Sequence, residues 1–149
     1  MTIRKNKGKW EFGYKDTYSL DDSLSPIIAA GVRKFKDVLE ERNNRNACIG
    51  IPHSVCNGGE VDDDSVKKWF DILDKIVYAF ENKEPDSEGF DFELDRTFEK
   101  IEGTKLNRMN INCSDDDAWD RYIEALKEHR AKVQEGVDLF AKHFKDLWW

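Results

Sequence analysis

Four aromatic residues, Trp10, Phe12, Tyr14 and Tyr18, fall at steps of two, two and four near the start of the chain, with Lys9 and Lys15 among them. Exposed rings beside ammonium groups form a stacking platform for planar, anionic ligands. The same residues also suit a plain aromatic arm lying over a helical core. Cys48, His53 and Cys56, with Cys113 further on, have a spacing loosely compatible with metal coordination. The close C-x-x-C pair of structural zinc sites is missing, so buried thiols and a loop histidine are the more economical account, and no metal is expected. Two aspartate runs, Asp62 to Asp64 and Asp115 to Asp117, could hold magnesium if they converged. Helical nucleotide pyrophosphohydrolases place such acids one turn apart inside helices, whereas these cluster where helices begin and where capping explains them. His129 and His143 stand about 21 Å apart at helical rise and cannot act on one bond. Neither a phosphate-binding glycine loop nor a G-x-S-x-G elbow occurs. No catalytic residue and no cofactor are expected.

The elements that would position these residues follow from hydrophobic spacing. Even steps at Trp10, Phe12 and Tyr14 place them on one side of an extended segment. Leu20, Leu24, Ile27, Ile28, Val32, Phe35, Val38 and Leu39 recur at helical steps, which predicts a helix up to about Arg42. It starts either at a Ser19 cap, with Pro26 then inside it, or at a Ser25 cap with Pro26 as its first residue. Asn43 to Gly59 reads as a loop whose run Cys48 to Ile51 tucks into the core. Asp62 to Asp64 then open the clearest helix, carried by Val66, Trp69, Phe70, Leu73, Ile76, Val77 and Phe80.

Between Asn82 and Cys113 two patterns compete. Phe90, Phe92 and Leu94 alternate as in an extended piece, while Leu94, Phe98 and Ile101 suit a short helix ending at Gly103. From a Ser114 cap with acids in the first turn, a final stripe runs from Trp119 through Phe140 and Phe144 to Leu147 and Trp148, interrupted at Arg130. Gly136 costs such a helix about 1 kcal/mol. Either two helices meet there or a neighbouring backbone approaches closely. A site shared by the N-terminal aromatics and the last helix, through His143, is the functional alternative.

These elements predict a mainly α fold, a compact bundle of three to four amphipathic helices with long irregular connections. The whole chain, 1–149, reads as a single helical domain with a basic, aromatic arm over residues 1–18. Its length is that of one domain able to bury a core. The net charge of −7 disfavours extended nucleic-acid binding. No stretch approaches the about 18 apolar residues of a membrane span, and the N-terminus lacks the apolar segment of a signal peptide. With an odd count of three cysteines, the expectation is a soluble, cytoplasmic protein with free thiols.

Four blocks carry a resemblance. Phe12-Gly13-Tyr14-Lys15-Asp16-Thr17-Tyr18-Ser19-Leu20-Asp21, Gly50-Ile51-Pro52, Trp69 with Ile72 to Phe80, and Glu135 to Trp148 resemble, in order, a family of small bacteriophage-encoded proteins of unassigned activity. The chain departs from the commoner pattern in its basic start and Asn-rich loop, and residues 82–113 match no block. The resemblance implies expression in the cytoplasm of an infected bacterial host and supplies no catalytic residues. The functional expectation is a phage accessory protein acting by binding, an anti-defence inhibitor or sponge for a nucleotide-derived immune signal. Its candidate ligand-binding residues are Lys9, Trp10, Phe12, Tyr14, Lys15, Tyr18 and His143. The alternatives are a module engaging a host or phage protein through residues 84–101, and a magnesium-dependent nucleotide hydrolase. Partners are thus a small nucleotide-like ligand or a host protein, and assembly into a homo-oligomer is compatible with the sequence.

Overall fold

The computed structural model describes residues 4–43, 50–56, 58, 61–85, 90 and 92–147. Cys48, Ile49 and Trp148 lie outside them. In chain order the elements are β1 (Arg4–Asn6), β2 (Lys9–Glu11), α1 (Tyr14–Tyr18), α2 (Leu20–Asn43), α3 (Asp63–Glu81), β3 (Leu94–Lys100), β4 (Asn107–Cys113) and α4 (Asp116–His143), followed by a 3-10 turn, Phe144–Asp146. The chain divides into two compact units, Met1–Lys83 with Ala131–Trp149, and Glu84–Arg130. Arg130, where the apolar stripe of α4 lapses, is also where that helix passes from one unit to the other.

In the first unit α3 supplies the centre of the core. Ser65, Trp69, Leu73, Ile76 and Ala79 recur at steps of four and three and are all fully buried. Val32 and Leu39 of α2, and Val55 of the short turn after Pro52, complete the cluster, with Phe35, Ile51, Phe140 and Leu147 packed around it. Asp62 starts α3 by accepting the Ser65 amide at 2.7 Å, so this aspartate run begins as a cap. α2 starts at Leu20 with Pro26 inside the helix, and the Ser25 hydroxyl donates to the Asp21 carbonyl at 2.7 Å. Among the described residues the buried Trp69 Nε1 finds no hydrogen-bond partner.

α4 runs unbroken through Gly136, so two helices do not meet there. Instead a backbone approaches: a Cβ added at Gly136 would overlap the Lys75 carbonyl oxygen and stand 2.5 Å from Ala79 Cβ. Around this contact Phe80 meets Phe140 edge-on at 5.0 Å, Trp69 meets His143 at 5.2 Å, and Lys75 pairs with Glu135 at 2.5 Å.

Charges tie α2 to α3 along their exposed sides. Lys36 reaches Asp74 at 2.6 Å, Arg33 pairs with Glu81, and Lys83 binds both Asp21, at 2.8 Å, and Asp22. Burial pulls the Lys36 ammonium down, but Asp74 and Glu40 outweigh it and hold it above its ordinary value. The Lys83 hydrogen bond holds the Asp21 carboxyl below its ordinary range, and Asp21 and Asp22 hold Lys83 above its own. A lowered carboxyl contributes stability above its unfolded value of 3.8 and loses it as pH falls through the folded value. The raised Lys83 contributes below 10.5 and loses that contribution as pH rises through its folded value.

The second unit corrects the expected mainly α bundle. Residues 94–113, where a short helix competed with an extended piece, form an antiparallel hairpin pairing Leu94 with Cys113 through Lys100 with Asn107. A second, smaller hairpin pairs β1 with β2. The fold is therefore a helix-dominant mixture of α and β with two small antiparallel sheets. The helical steps of Leu94, Phe98 and Ile101 lose because Arg96, Phe98, Met109 and Ile111 gain cross-strand neighbours that a local window does not contain. Ser114, expected as the α4 cap, closes the hairpin base: its hydroxyl accepts the Glu93 amide at 2.8 Å and its own amide donates to the Glu93 carbonyl at 3.0 Å. Asp115 caps α4 instead, accepting the Ala118 amide at 2.9 Å. Phe90, Phe92, Trp119 and Tyr122 stack beside that base with centroids 5.3 to 5.9 Å apart.

Among the described residues nothing lies within 4 Å of a Cβ added at Gly31, so Gly31→Ala is expected to stabilise by about 0.5–1 kcal/mol. Gly136→Ala is expected to destabilise by about 1–3 kcal/mol despite the same helical gain, because overpacking against a backbone outweighs it. Urea denaturation of both variants tests the opposite signs. The difference in melting temperature between wild type and Lys83→Met is expected to shrink as pH falls below 3.8, followed by circular dichroism.

Candidate functional site

The arm is built from three short elements. Lys7 and Gly8 form a two-residue turn with φ of 46° and 83°, the left-handed pair whose twist matches a tight hairpin. That turn pairs Arg4 with Glu11, Lys5 with Trp10 and Asn6 with Lys9. Alternation then sorts the side chains between two faces. On one, Arg4 and Asn6 both hold the Glu11 carboxylate, at 3.0 and 2.9 Å, with Lys9 beside them. On the other, the Lys5 ammonium lies 5.8 Å from the centre of the Trp10 ring.

Gly13 then turns the chain into α1. Its amide donates to Asp16 Oδ2 at 2.9 Å and its carbonyl accepts the Asp16 amide at 2.9 Å. Asp16 is 4% exposed, so this carboxylate points inward and fixes the helix from within. Tyr14 and Tyr18, one turn apart, consequently share the outward side at 86% and 85% exposure. Trp10 is 63% and Phe12 44% exposed, and Lys15 is open to solvent beside Tyr14. The extended side expected for Trp10, Phe12 and Tyr14 thus ends at Glu11, and Tyr14 belongs to a helix.

His143 lies apart from this exposed set. It is 2% exposed, edge-on to Trp69, with Nδ1 2.8 Å from Asp146 Oδ2. Lys5, absent from the candidates, is the cation beside Trp10, while Lys9 is on the opposite face. The signal available in the sequence was parity: a two-residue turn at Lys7-Gly8 places Lys5 across from Trp10 and Asn6 across from Lys9.

Other candidates resolve into structural roles. The Cys56 thiol donates to the Pro52 carbonyl and the Cys113 thiol to the Asp115 carbonyl, both at 3.3 Å. Cys48 lies outside the described residues. Among the described residues no group of three or more His, Cys, Asp or Glu side chains could hold a metal ion. A cleft of about 490 Å³ opens along α3 and α4 between Asp74, Lys75, Tyr78, Lys132 and Glu135. An apolar groove of about 250 Å³ lies between α2 and the end of the first unit, lined by residues that include Ile27, Phe35, Phe140 and Leu147. The arm lines neither.

Exposed ring faces of this kind suit planar groups, and Lys5 and Lys15 offer positive charge beside them. Among the described residues no helix is long and apolar enough to cross a membrane. Comparison with protein-family models, with curated proteins and with solved structures finds no match to this chain.

Because Asp16 satisfies the first turn of α1, Asp16→Ala is expected to cost about 1 kcal/mol, measured by chemical denaturation. Tyr14→Ala and Tyr18→Ala, exposed on the same helix, are expected to stay within about 0.5 kcal/mol of wild type.

Proposed function

We propose that the protein is a bacteriophage accessory protein that acts by binding, sequestering a nucleotide-derived immune signal on its N-terminal arm in the cytoplasm of the infected host. The observation that carries this reading is the exposure of four aromatic side chains, Trp10, Phe12, Tyr14 and Tyr18, within nine residues of one short arm. Several large exposed aromatics on one short segment mark a candidate interaction site. Stacking on one ring is worth about 1–3 kcal/mol per base, and an adjacent ammonium adds attraction for phosphate. The phage setting and the anti-defence role rest on the four sequence blocks and their order along the chain.

A second reading, a module that engages another protein, is favoured by the hairpin of the second unit, where Phe98 and Leu106 are each 67% exposed and Met109 and Ile111 close to half. Pull-down from infected-cell lysate separates the two readings, since this one requires a stable protein partner. The magnesium-dependent hydrolase reading finds Asp62 and Asp115 engaged as helix caps.

Calorimetry with a panel of cyclic oligonucleotides and ADP-ribose-derived signals tests the proposal. Binding is expected, with the ligand recovered unchanged after heat denaturation. Trp10→Ala is expected to weaken binding about tenfold or more, and Lys5→Ala to weaken it with a reduced salt dependence. Lys9→Ala, on the opposite face, is expected to change affinity by no more than about twofold. Absence of heat with the whole panel would sink the sponge, and a chemically altered ligand would make the protein an enzyme.

A further inference from the structure

β3 and β4 make a ribbon of only two strands, whose residues are exposed along most of both faces. Isolated ribbons of this kind are marginal in water unless further strands or a packed layer join them. The two free edges differ. β3 reads Leu94-Asp95-Arg96-Thr97-Phe98-Glu99-Lys100 and carries four charges, the ordinary protection of an edge strand. β4 reads Asn107-Arg108-Met109-Asn110-Ile111-Asn112-Cys113 and carries one. It has neither lysine nor proline, and among the described residues no other strand pairs with it.

Hydrogen-bond parity shows what that edge offers. The Ile101 amide donates to the Leu106 carbonyl at 3.1 Å and the Ser114 amide to the Glu93 carbonyl at 3.0 Å. In an antiparallel ladder every second pair is bonded in this way, so residues 106, 108, 110, 112 and 114 turn their amides and carbonyls towards β3. Asn107, Met109, Ile111 and Cys113 therefore turn theirs outward.

We infer that this outward edge of β4 is where a second copy of the chain adds, strand to strand about a two-fold axis at Asn110, making a four-stranded antiparallel sheet. With that centre Met109 faces Ile111 of the second copy, Asn107 faces Cys113, Arg108 faces Asn112, and Asn110 faces itself. The outward residues thus meet one another and exchange about eight backbone hydrogen bonds. No like charges come together. The equivalent pairing of β3 about Thr97 fails this test, because it sets Asp95 against Glu99. The merged sheet also joins the exposed Phe98, Met109 and Ile111 of both copies into one apolar face, which cross-strand contact stabilises. This inference concerns the second unit alone and does not depend on the arm's ligand.

Sedimentation velocity of the full chain over a dilution series is expected to show a concentration-dependent dimer. Ile111→Pro removes an outward amide and none of the hairpin's own bonds, so it is expected to abolish the dimer while circular dichroism stays that of wild type. Asn110→Asp and Asn110→Lys each place like charges across the axis and are expected to weaken the dimer about fivefold. An equimolar mixture of the two sets a carboxylate against an ammonium and is expected to associate more tightly than either alone, which a merely damaged hairpin would not do. A wild-type chain that stays monomeric throughout, variants that associate like wild type, or a mixture no tighter than its parents would each overturn the inference.

Discussion

The missing side chain at Gly136 sets how deeply α4 sits on α3. With no Cβ between them, the α4 backbone lies against the carbonyl of Lys75 and the methyl of Ala79. Every other contact along that seam follows from this separation. The Phe80–Phe140 and Trp69–His143 ring pairs sit at 5.0 and 5.2 Å, distances that a spacer the size of one methyl group would open. The Lys75–Glu135 pair spans the same seam at its exposed rim, where it adds little energy. Glycine's poor helix propensity is thus offset by packing that no other residue permits.

Aromatic side chains are divided among three tasks. Trp69, Phe80 and Phe140 fill the first unit, and Phe90, Phe92, Trp119 and Tyr122 stack together in the second. Trp10, Phe12, Tyr14 and Tyr18 do neither. Their outward direction is fixed by small polar devices: a left-handed turn at Lys7-Gly8, a carboxylate held by Arg4 and Asn6, and the inward-pointing Asp16. A surface assembled this way holds its rings open, which lowers the ordering cost of the binding proposed for it.

What the sequence made legible is what local periodicity encodes. The α3 stripe, the aspartate cap at its start and the helical span of α2 follow from spacing or from one residue's chemistry. Gly136 left a meeting of two helices and a close backbone approach both open until the packing on Lys75 and Ala79 was in view. The two hairpins were hidden because strand pairing joins residues that share no local window. Leu94, Phe98 and Ile101 satisfied a helical pattern until their partners, among them Met109 and Ile111, were in view. Ser114 looked like a cap because it precedes three acids, yet its hydroxyl serves Glu93, twenty-one residues away. In the arm, residue types were informative but facing was not, and one turn decides whether Lys5 or Lys9 stands beside Trp10.

The division of the chain into a contiguous unit and an interrupted one also orders its biogenesis. Residues 84–130 are contiguous in the chain, whereas the first unit needs Ala131 onward before Trp69 meets His143 and Ala79 meets Gly136. The earlier part of that unit already contains the α2 residues Val32 and Leu39 that pack on Trp69, Leu73 and Ile76, and lacks only the α4 side of the seam. Because residues 131–143 follow α2 and α3 in the chain, the seam at Gly136 can close only after the α2–α3 core has been synthesised.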